Sequence, residues 1–189
     1  AWTTVLPGGL DPLRGAVVVN TEGLKFTYTG VVSNINPAGS ATDFVALSGA
    51  PSKTVRVTRV EIVGAAGALA QAELLLIKRS TADTAGTPAT ITAVAHDSND
   101  PAPQAVLVSY AANPTLGTAV ATVRQTKYQL VSTTAVAGGA PTPLVWDFGQ
   151  RNEQAIVLRG VAQQLCLNQN AGATTTLMVY NVAFTWTEE

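Results

Sequence analysis

The sequence predicts an all-β protein, an antiparallel β-sandwich or jelly roll with an extended N-terminal arm. Three observations lead to this prediction: apolar and polar side chains alternate along many segments, turn residues recur at near-regular spacing, and strands do not alternate with helices. We expect the 189 residues to divide into an arm over residues 1–15 and one β-sandwich domain over residues 16–189. A chain of this length buries enough surface for a core without metal or disulfide staples.

The arm differs in composition from the rest of the chain. Four large apolar side chains are spread along it: Trp2, Leu6, Leu10 and Leu13. Pro7 and Pro12 lie between them, and prolines at that spacing exclude a helix or a central strand. We interpret the segment as an extended arm and its four apolar side chains as candidate interface residues. The alternative is that the arm covers an edge of its own sheet.

Strict alternation marks the two clearest strands. Leu24–Thr29 alternates apolar with polar side chains, and Met178–Trp186 places its large apolar residues on one face. We expect Glu188 and Glu189 to end the last strand in solvent. Turn residues bound the other predicted strands, which are Ala16–Asn20, Thr42–Leu47, Lys53–Val63, Ala70–Lys78, Ala89–Ala95, Ala105–Tyr110, Ala119–Arg124, Tyr128–Thr133, Leu144–Phe148, Ala155–Leu158 and Val161–Asn168.

Two segments have patterns that allow more than one structure. Between Val55 and Ile62 the apolar phase changes near Thr58, which predicts either a β-bulge or a strand that is covered on both faces. Ala68–Ile77 is rich in good helix formers, so a helix is the alternative there. We predict a strand, because the neighbouring segments are strands and only Gly67 stands where a helix cap would be needed.

Composition limits the partners. Hydrophobic residues make up 47% of the chain and charged residues only 12%, which suits either an exterior covered by neighbouring molecules or a surface that relies on hydroxyl groups for solubility. The net charge is −1 and the basic residues are scattered, so we predict no nucleic-acid partner. No stretch approaches the ~20 apolar residues of a membrane span, so we predict no membrane partner. The single Cys166 excludes an internal disulfide and fits assembly in a reducing cytoplasm.

Few residues offer catalytic chemistry. His96 is the only histidine, which excludes a metal site built from several histidines, and Cys166 has no second thiol beside it. His96 as a base for Ser98 or Cys166 is conceivable, but no motif indicates such a pair. We interpret His96 as an exposed turn residue.

The carboxylates allow two further hypotheses. Asp97, Asn99 and Asp100 offer oxygens to calcium, but the later glycine and bidentate glutamate of an EF-hand loop are missing and an Asx turn explains the same residues. Glu61 and Glu73 lie in predicted neighbouring strands among basic residues, where cross-strand pairing is the ordinary explanation and glycosidase chemistry the alternative. We therefore predict no catalytic residue, no cofactor and no metal site. We expect Trp2, Trp146 and Trp186 to be core or interface anchors.

Several loop and strand-end signatures occur together in a characteristic order. They are Leu75–Thr81, Ala85–Thr87, His96–Pro101, Tyr110–Gly117, Trp146–Gly149, Ala155–Gly160 and Phe184–Glu189. In this order, across roughly residues 40–189, the chain resembles a family of small proteins encoded in the structural regions of tailed bacteriophages and prophages.

The resemblance implies a virion component with no catalytic residues to transfer. Jelly-roll decoration (cement) proteins of this kind sit as trimers on the capsid and clamp neighbouring major capsid subunits. We therefore expect a homotrimer on the capsid exterior, assembled in the host cytoplasm, with the major capsid protein as partner. The alternatives are a tail, baseplate or head-fibre module that recognises a host surface glycan or receptor, and an enzyme such as a polysaccharide depolymerase.

Overall fold

The computed structural model describes residues 25–37, 41–133, 140–150, 153–170 and 178–189. The predicted arm and the predicted strand Ala16–Asn20 lie outside the described residues. Within these ranges the chain forms strands and no helix, which confirms the predicted all-β class. The strands are β1 (Phe26–Ile35), β2 (Thr42–Ser48), β3 (Thr54–Ala66), β4 (Ala70–Arg79), β5 (Pro88–Ile91), β6 (Val94–Ala95), β7 (Leu107–Tyr110), β8 (Ala119–Ser132), β9 (Leu144–Asp147), β10 (Ile156–Arg159), β11 (Gln164–Asn170) and β12 (Val179–Glu188).

The strands form one large curled sheet in the order β5-β7-β2-β11-β4-β8-β3-β12-β1-β6, and β9 and β10 also pair with β3. All these pairs are antiparallel except β3 with β8, which run parallel where Ala65 faces Val131 and Ala66 faces Ser132. The finer prediction of a sandwich or jelly roll stays a prediction, because a single mixed sheet does not by itself distinguish these architectures.

Strand β3 is the hub of the sheet. One of its edges pairs with β12 from Val55 to Ala65. Since a strand has two edges, its other edge is shared by β10, β9 and the last residues of β8. The remainder of β8 leaves β3 and pairs with β4 instead, so β8 connects the two halves of the curled sheet.

The predicted irregularity near Thr58 is a β-bulge. Opposite β12, Arg59 pairs with Thr185 and Val57 with Trp186, so Thr58 is an extra residue in β3. Buried positions fall at Val55 and Val57 before the bulge and shift phase to Val60 and Ile62 after it. The bulge therefore keeps the large apolar side chains in the core along all of β3.

The structure confirms one open prediction and corrects two others. The Ala68–Ile77 segment is a strand, β4, with alternate side chains buried. The predicted strands Ala119–Arg124 and Tyr128–Thr133 are wrong as separate elements, because the ladder with β4 runs through the polar residues between them. The predicted strand Ala89–Ala95 is divided, because β5 pairs with β7 whereas β6 pairs with β1.

Strand β8 carries two bulges of its own. Val120 and Val123 are extra residues opposite β4, at the two points where the register between the strands shifts. Within the described part of the chain, residues 119–130 pair with β4 on one edge and with no strand on the other. The unpaired edge is thus kinked rather than straight.

The core lies inside the curl and contains most of the aromatic side chains. Trp186 and Tyr28 lie on paired strands with ring centroids 5.9 Å apart, and Phe44 stacks on Tyr180 at 5.5 Å. Trp146 joins the same apolar cluster, so the prediction of an anchor role is confirmed for Trp146 and Trp186. Trp2 lies outside the described residues.

Replacing Gly64 by alanine tests how tightly this core is packed. A Cβ at Gly64 would lie 2.6 Å from Leu130 Cδ2 and 2.7 Å from Tyr180 Cδ1. Alanine in place of a strand glycine ordinarily stabilises a protein by about 0.5–1 kcal/mol, but overpacking costs about 1–3 kcal/mol. We expect Gly64→Ala to lower the free energy of unfolding in urea. A variant as stable as the parent would contradict the close packing of Leu130 and Tyr180 against this backbone.

Candidate functional site

The four candidate interface residues Trp2, Leu6, Leu10 and Leu13 lie outside the described residues. Their role in binding a partner therefore stays a prediction.

His96 is exposed and lies directly after β6. Its Nε2 is 2.8 Å from the hydroxyl oxygen of Thr29. In the described ranges no hydrogen bond joins the imidazole to Ser98 or Cys166, and Cys166 is fully buried. The structure does not assemble a nucleophile and base from these residues.

The acidic turn after His96 is held by its own hydrogen bonds. The backbone N–H of Asn99 donates to Asp97 Oδ1 at 2.9 Å, and that of Asp100 donates to the Asp97 carbonyl at 3.0 Å. This geometry is an Asx turn, which favours the structural interpretation over a calcium site.

Glu61 and Glu73 do not lie on neighbouring strands, because β8 separates β3 from β4. Glu61 accepts a hydrogen bond from Arg59 on its own strand at 2.8 Å. Glu73 accepts hydrogen bonds from Gln125 at 2.6 Å and Asn170 at 2.7 Å, and these bonds lower the pKa of its carboxyl group. The expectation of neighbouring strands is wrong, and the two carboxylates do not form a pair.

The chain end also differs from its prediction. Glu188 is buried and accepts hydrogen bonds from the backbone N–H groups of Gln104 and Ala105 and from Trp186 Nε1, at 2.9–3.1 Å. Only Glu189 is partly exposed, and it pairs with Arg56 at 2.8 Å. Glu188 therefore fixes the segment before β7 to the end of β12.

The structure brings together a buried polar cluster that the sequence did not predict. It is built from β2, β4, β11 and the loop after β4, and we call it the Arg79 cluster. Its members are Asp43, Arg79, Asp83, Gln164, Cys166 and Asn168. The strand order places them together, because β11 pairs with β2 on one edge and with β4 on the other.

Arg79 lies at the centre of this cluster. Its guanidinium group donates to both Asp43 oxygens, from Nε at 2.5 Å and from Nη2 at 3.0 Å. Nε is also 3.4 Å from Asp83 Oδ1, and Nη1 donates to the Gly117 carbonyl at 2.6 Å. Since a buried charge is tolerated only when paired and hydrogen-bonded, Asp43 and Arg79 require each other.

Asp83 connects two loops to the sheet. Its Oδ1 accepts from the Gly117 N–H at 2.7 Å, and its own N–H donates to Gln164 Oε1 at 2.7 Å. Cys166 Sγ lies 3.7 Å from Asp83 Oδ2 as a weak donor. Asp83 thus adds to the backbone hydrogen bonds between Thr84 and Thr115, which also join the loop after β4 to the loop before β8.

Burial changes the acid–base behaviour of the Arg79 cluster. The pKa of Asp83 is raised to about 6, mainly by burial and also by the nearby Asp43, whereas hydrogen bonding from Gly117 and the charge of Arg79 lower it. Burial also raises the pKa of the Cys166 thiol well above its usual value. Cys166 is therefore a protonated, unreactive thiol at neutral pH.

We tested whether the cluster fits a metal ion. Asp43, Asp83 and Cys166 each offer a ligand atom, and these atoms lie within 4.8 Å of one another. The Arg79 guanidinium already lies between the two carboxylates and supplies the compensating positive charge. A metal would also require the thiolate, which burial disfavours. The residues therefore fit a structural ion cluster and do not fit a metal centre.

Comparison with known proteins gives no match: no family model, no curated protein and no solved structure matches this chain. No helix of the described residues is long and apolar enough to cross a membrane.

Replacing Arg79 by methionine tests the structural role of the cluster. Removing one partner of a buried ion pair leaves the other charge uncompensated and typically costs about 3–5 kcal/mol. We expect Arg79→Met to lower the free energy of unfolding by an amount in this range. The matched control is Arg59→Met, because Arg59 pairs with Glu61 at the surface and exposed pairs contribute about 0–1 kcal/mol. Equal losses in the two variants would refute a special role for Arg79.

The pKa of Asp83 predicts the sign of one pH effect. With a pKa of about 6 in the folded protein against 3.8 as reference, the folded state holds this proton more tightly. Its contribution to stability therefore grows as pH falls through 6 and is complete below 3.8. Between pH 7.5 and pH 5 the gain is on the order of 1 kcal/mol. We expect this difference in the free energy of unfolding, measured by urea titrations at the two pH values, to disappear in Asp83→Asn. A variant with the pH dependence of the parent would contradict the raised pKa of Asp83.

Proposed function

We propose that this chain is a structural component of a bacteriophage virion, a capsid decoration protein that binds and stabilises the major capsid lattice. The observation that carries the proposal is that its buried reactive groups are used in bonds to one another and to the backbone. Asp43, Arg79 and Asp83 are bonded to one another and to loop backbone, and the Cys166 thiol is buried. These groups hold loops in place, which is what a contact-forming protein requires.

The described surface suits contact with other molecules. Val31 and Val94 are 53% and 67% exposed on the paired strands β1 and β6, and only 12% of the chain is charged. Low charge and exposed apolar side chains are features of surfaces that become covered on assembly. Further exposed apolar side chains are Leu69, Val106, Leu116, Val120 and Val161.

Assembly on a lattice explains how modest contacts suffice. A homotrimer on a symmetric shell would make the same contacts at every equivalent position, and linked contacts act at a high effective concentration. In this proposal the arm with Trp2, Leu6, Leu10 and Leu13 docks on the major capsid protein and adds a strand to a sheet edge of that partner. The protein would then act outside the capsid, without catalysis and without a cofactor.

A tail, baseplate or head-fibre module that recognises the host surface is the second candidate. The observation that favours it is an open cavity at the end of the sheet where β1 begins and β12 ends, with polar side chains that no other described residue pairs. The number of copies per virion separates the two candidates, because decoration of a capsid lattice needs hundreds of copies and a tail module needs a handful.

Deleting Ala1–Leu13 tests the proposed role of the arm. We expect the truncated protein to keep its unfolding transition, because the described residues form a buried apolar core among themselves, and to lose binding to capsids that lack the protein. Binding is measured by co-sedimentation with such capsids, with the full chain as control. Equal occupancy by the two proteins would remove the arm from the mechanism, and no binding by either would refute the decoration role.

A further inference from the structure

An open cavity of about 810 Å³ lies at one end of the sheet, where β1 begins and β12 ends. We call it the end cavity. Its size falls within the range of about 300–1,000 Å³ that is typical of small-ligand sites. Its wall includes Phe26, Lys53, Arg56, Glu153, Gln154 and Glu189.

The charges of the end cavity are only partly paired. Glu189 is 2.8 Å from Arg56 Nε and 3.8 Å from Lys25 Nζ. Lys53 differs, because its Nζ lies 4.7 Å above the centre of the Phe26 ring and no carboxylate of the described residues is within ion-pair distance. The cavity therefore holds a cation that is available to an anionic group.

The hydrogen-bonding groups of the end cavity are also largely unused. Arg56 donates through Nε to Glu189, which leaves its two terminal nitrogens free within the described part of the chain. The side chains of Glu153 and Gln154 make no hydrogen bonds to other described residues, and both residues are exposed. The cavity thus contrasts with the Arg79 cluster, where the carboxyl and guanidinium groups are occupied.

This set of groups restricts the chemistry of a ligand. Lys53 and Arg56 attract one carboxylate, whereas the carboxylates of Glu153 and Glu189 disfavour a polyanion such as a nucleic acid. Glu153 accepts hydrogen bonds and Gln154 both donates and accepts them, which suits hydroxyl groups. Phe26 adds an apolar wall. A molecule with many hydroxyls and one negative charge satisfies all these conditions.

We infer that the end cavity binds an acidic saccharide, with the sugar carboxylate at Lys53 and Arg56 and the hydroxyls at Glu153 and Gln154. The inference concerns the described residues alone and does not depend on where the protein sits in a virion. It assigns to this chain a binding activity in addition to any contact with a capsid.

The test compares two disaccharides by ligand-observed NMR and calorimetry at low ionic strength. One is glucuronic acid linked to N-acetylglucosamine, and the uncharged control is N,N′-diacetylchitobiose. We expect the acidic disaccharide to bind and the neutral one to bind at least about tenfold more weakly, because one charge-assisted contact is lost. Added salt should weaken binding of the acidic disaccharide.

Three variants of the full chain locate the binding. We expect Lys53→Gln and Gln154→Ala to weaken binding about tenfold or more, and Lys127→Gln to leave it unchanged, because Lys127 is an exposed lysine on β8 outside the cavity. Unfolding transitions confirm that each variant is folded. The inference is overturned if neither disaccharide binds, if both bind equally, or if Lys53→Gln binds like the parent. None of these outcomes bears on capsid binding, so the two proposals fail separately.

Discussion

The pairing of Arg79 with Asp43 is the constraint on which the arrangement of β2, β11 and β4 depends. Both charges are buried, and the low-dielectric interior makes each intolerable without the other. The register of β2, β11 and β4 must be correct before the two side chains meet, so the pair specifies the strand alignment. Through Asp83 and Gly117 the same cluster also ties the loops after β4 and before β8 to the sheet, in addition to the backbone hydrogen bonds that join these loops to each other.

Local pattern predicted the strands well and their partners poorly. Alternation in Met178–Trp186 identified β12, and the phase change at Thr58 located an irregularity that the structure shows to be a bulge, because both signals lie within a few consecutive residues. The polar residues in the middle of β8 suggested a break between two strands. The segment is nevertheless one strand, because hydrogen bonds to β4 run through these residues. Asp43 was a lone charge in an apolar strand, a signal that becomes interpretable only when the fold supplies Arg79 from 36 residues away.

The same distinction explains what could be predicted of the sites. The Asx turn at Asp97 was predictable because its hydrogen bonds span two or three residues. The buried state of Glu188 was not, because its donors come from the segment before β7. The end cavity escaped prediction for a similar reason: Lys53 and Arg56 lie at the start of β3, whereas Gln154 lies about 100 residues later in the chain, and the pairing of β10 with β3 brings them to one place.

The kinks at Val120 and Val123 affect whether copies of the protein can associate through the open edge of β8. A long, straight and uncharged strand at a border invites the same strand of another copy, and growth from such contacts has no natural end. Proteins crowded side by side in large numbers face this hazard more than dilute ones. By bending the open edge of β8 at two points, the chain makes that edge a poor template for the same strand of a second copy.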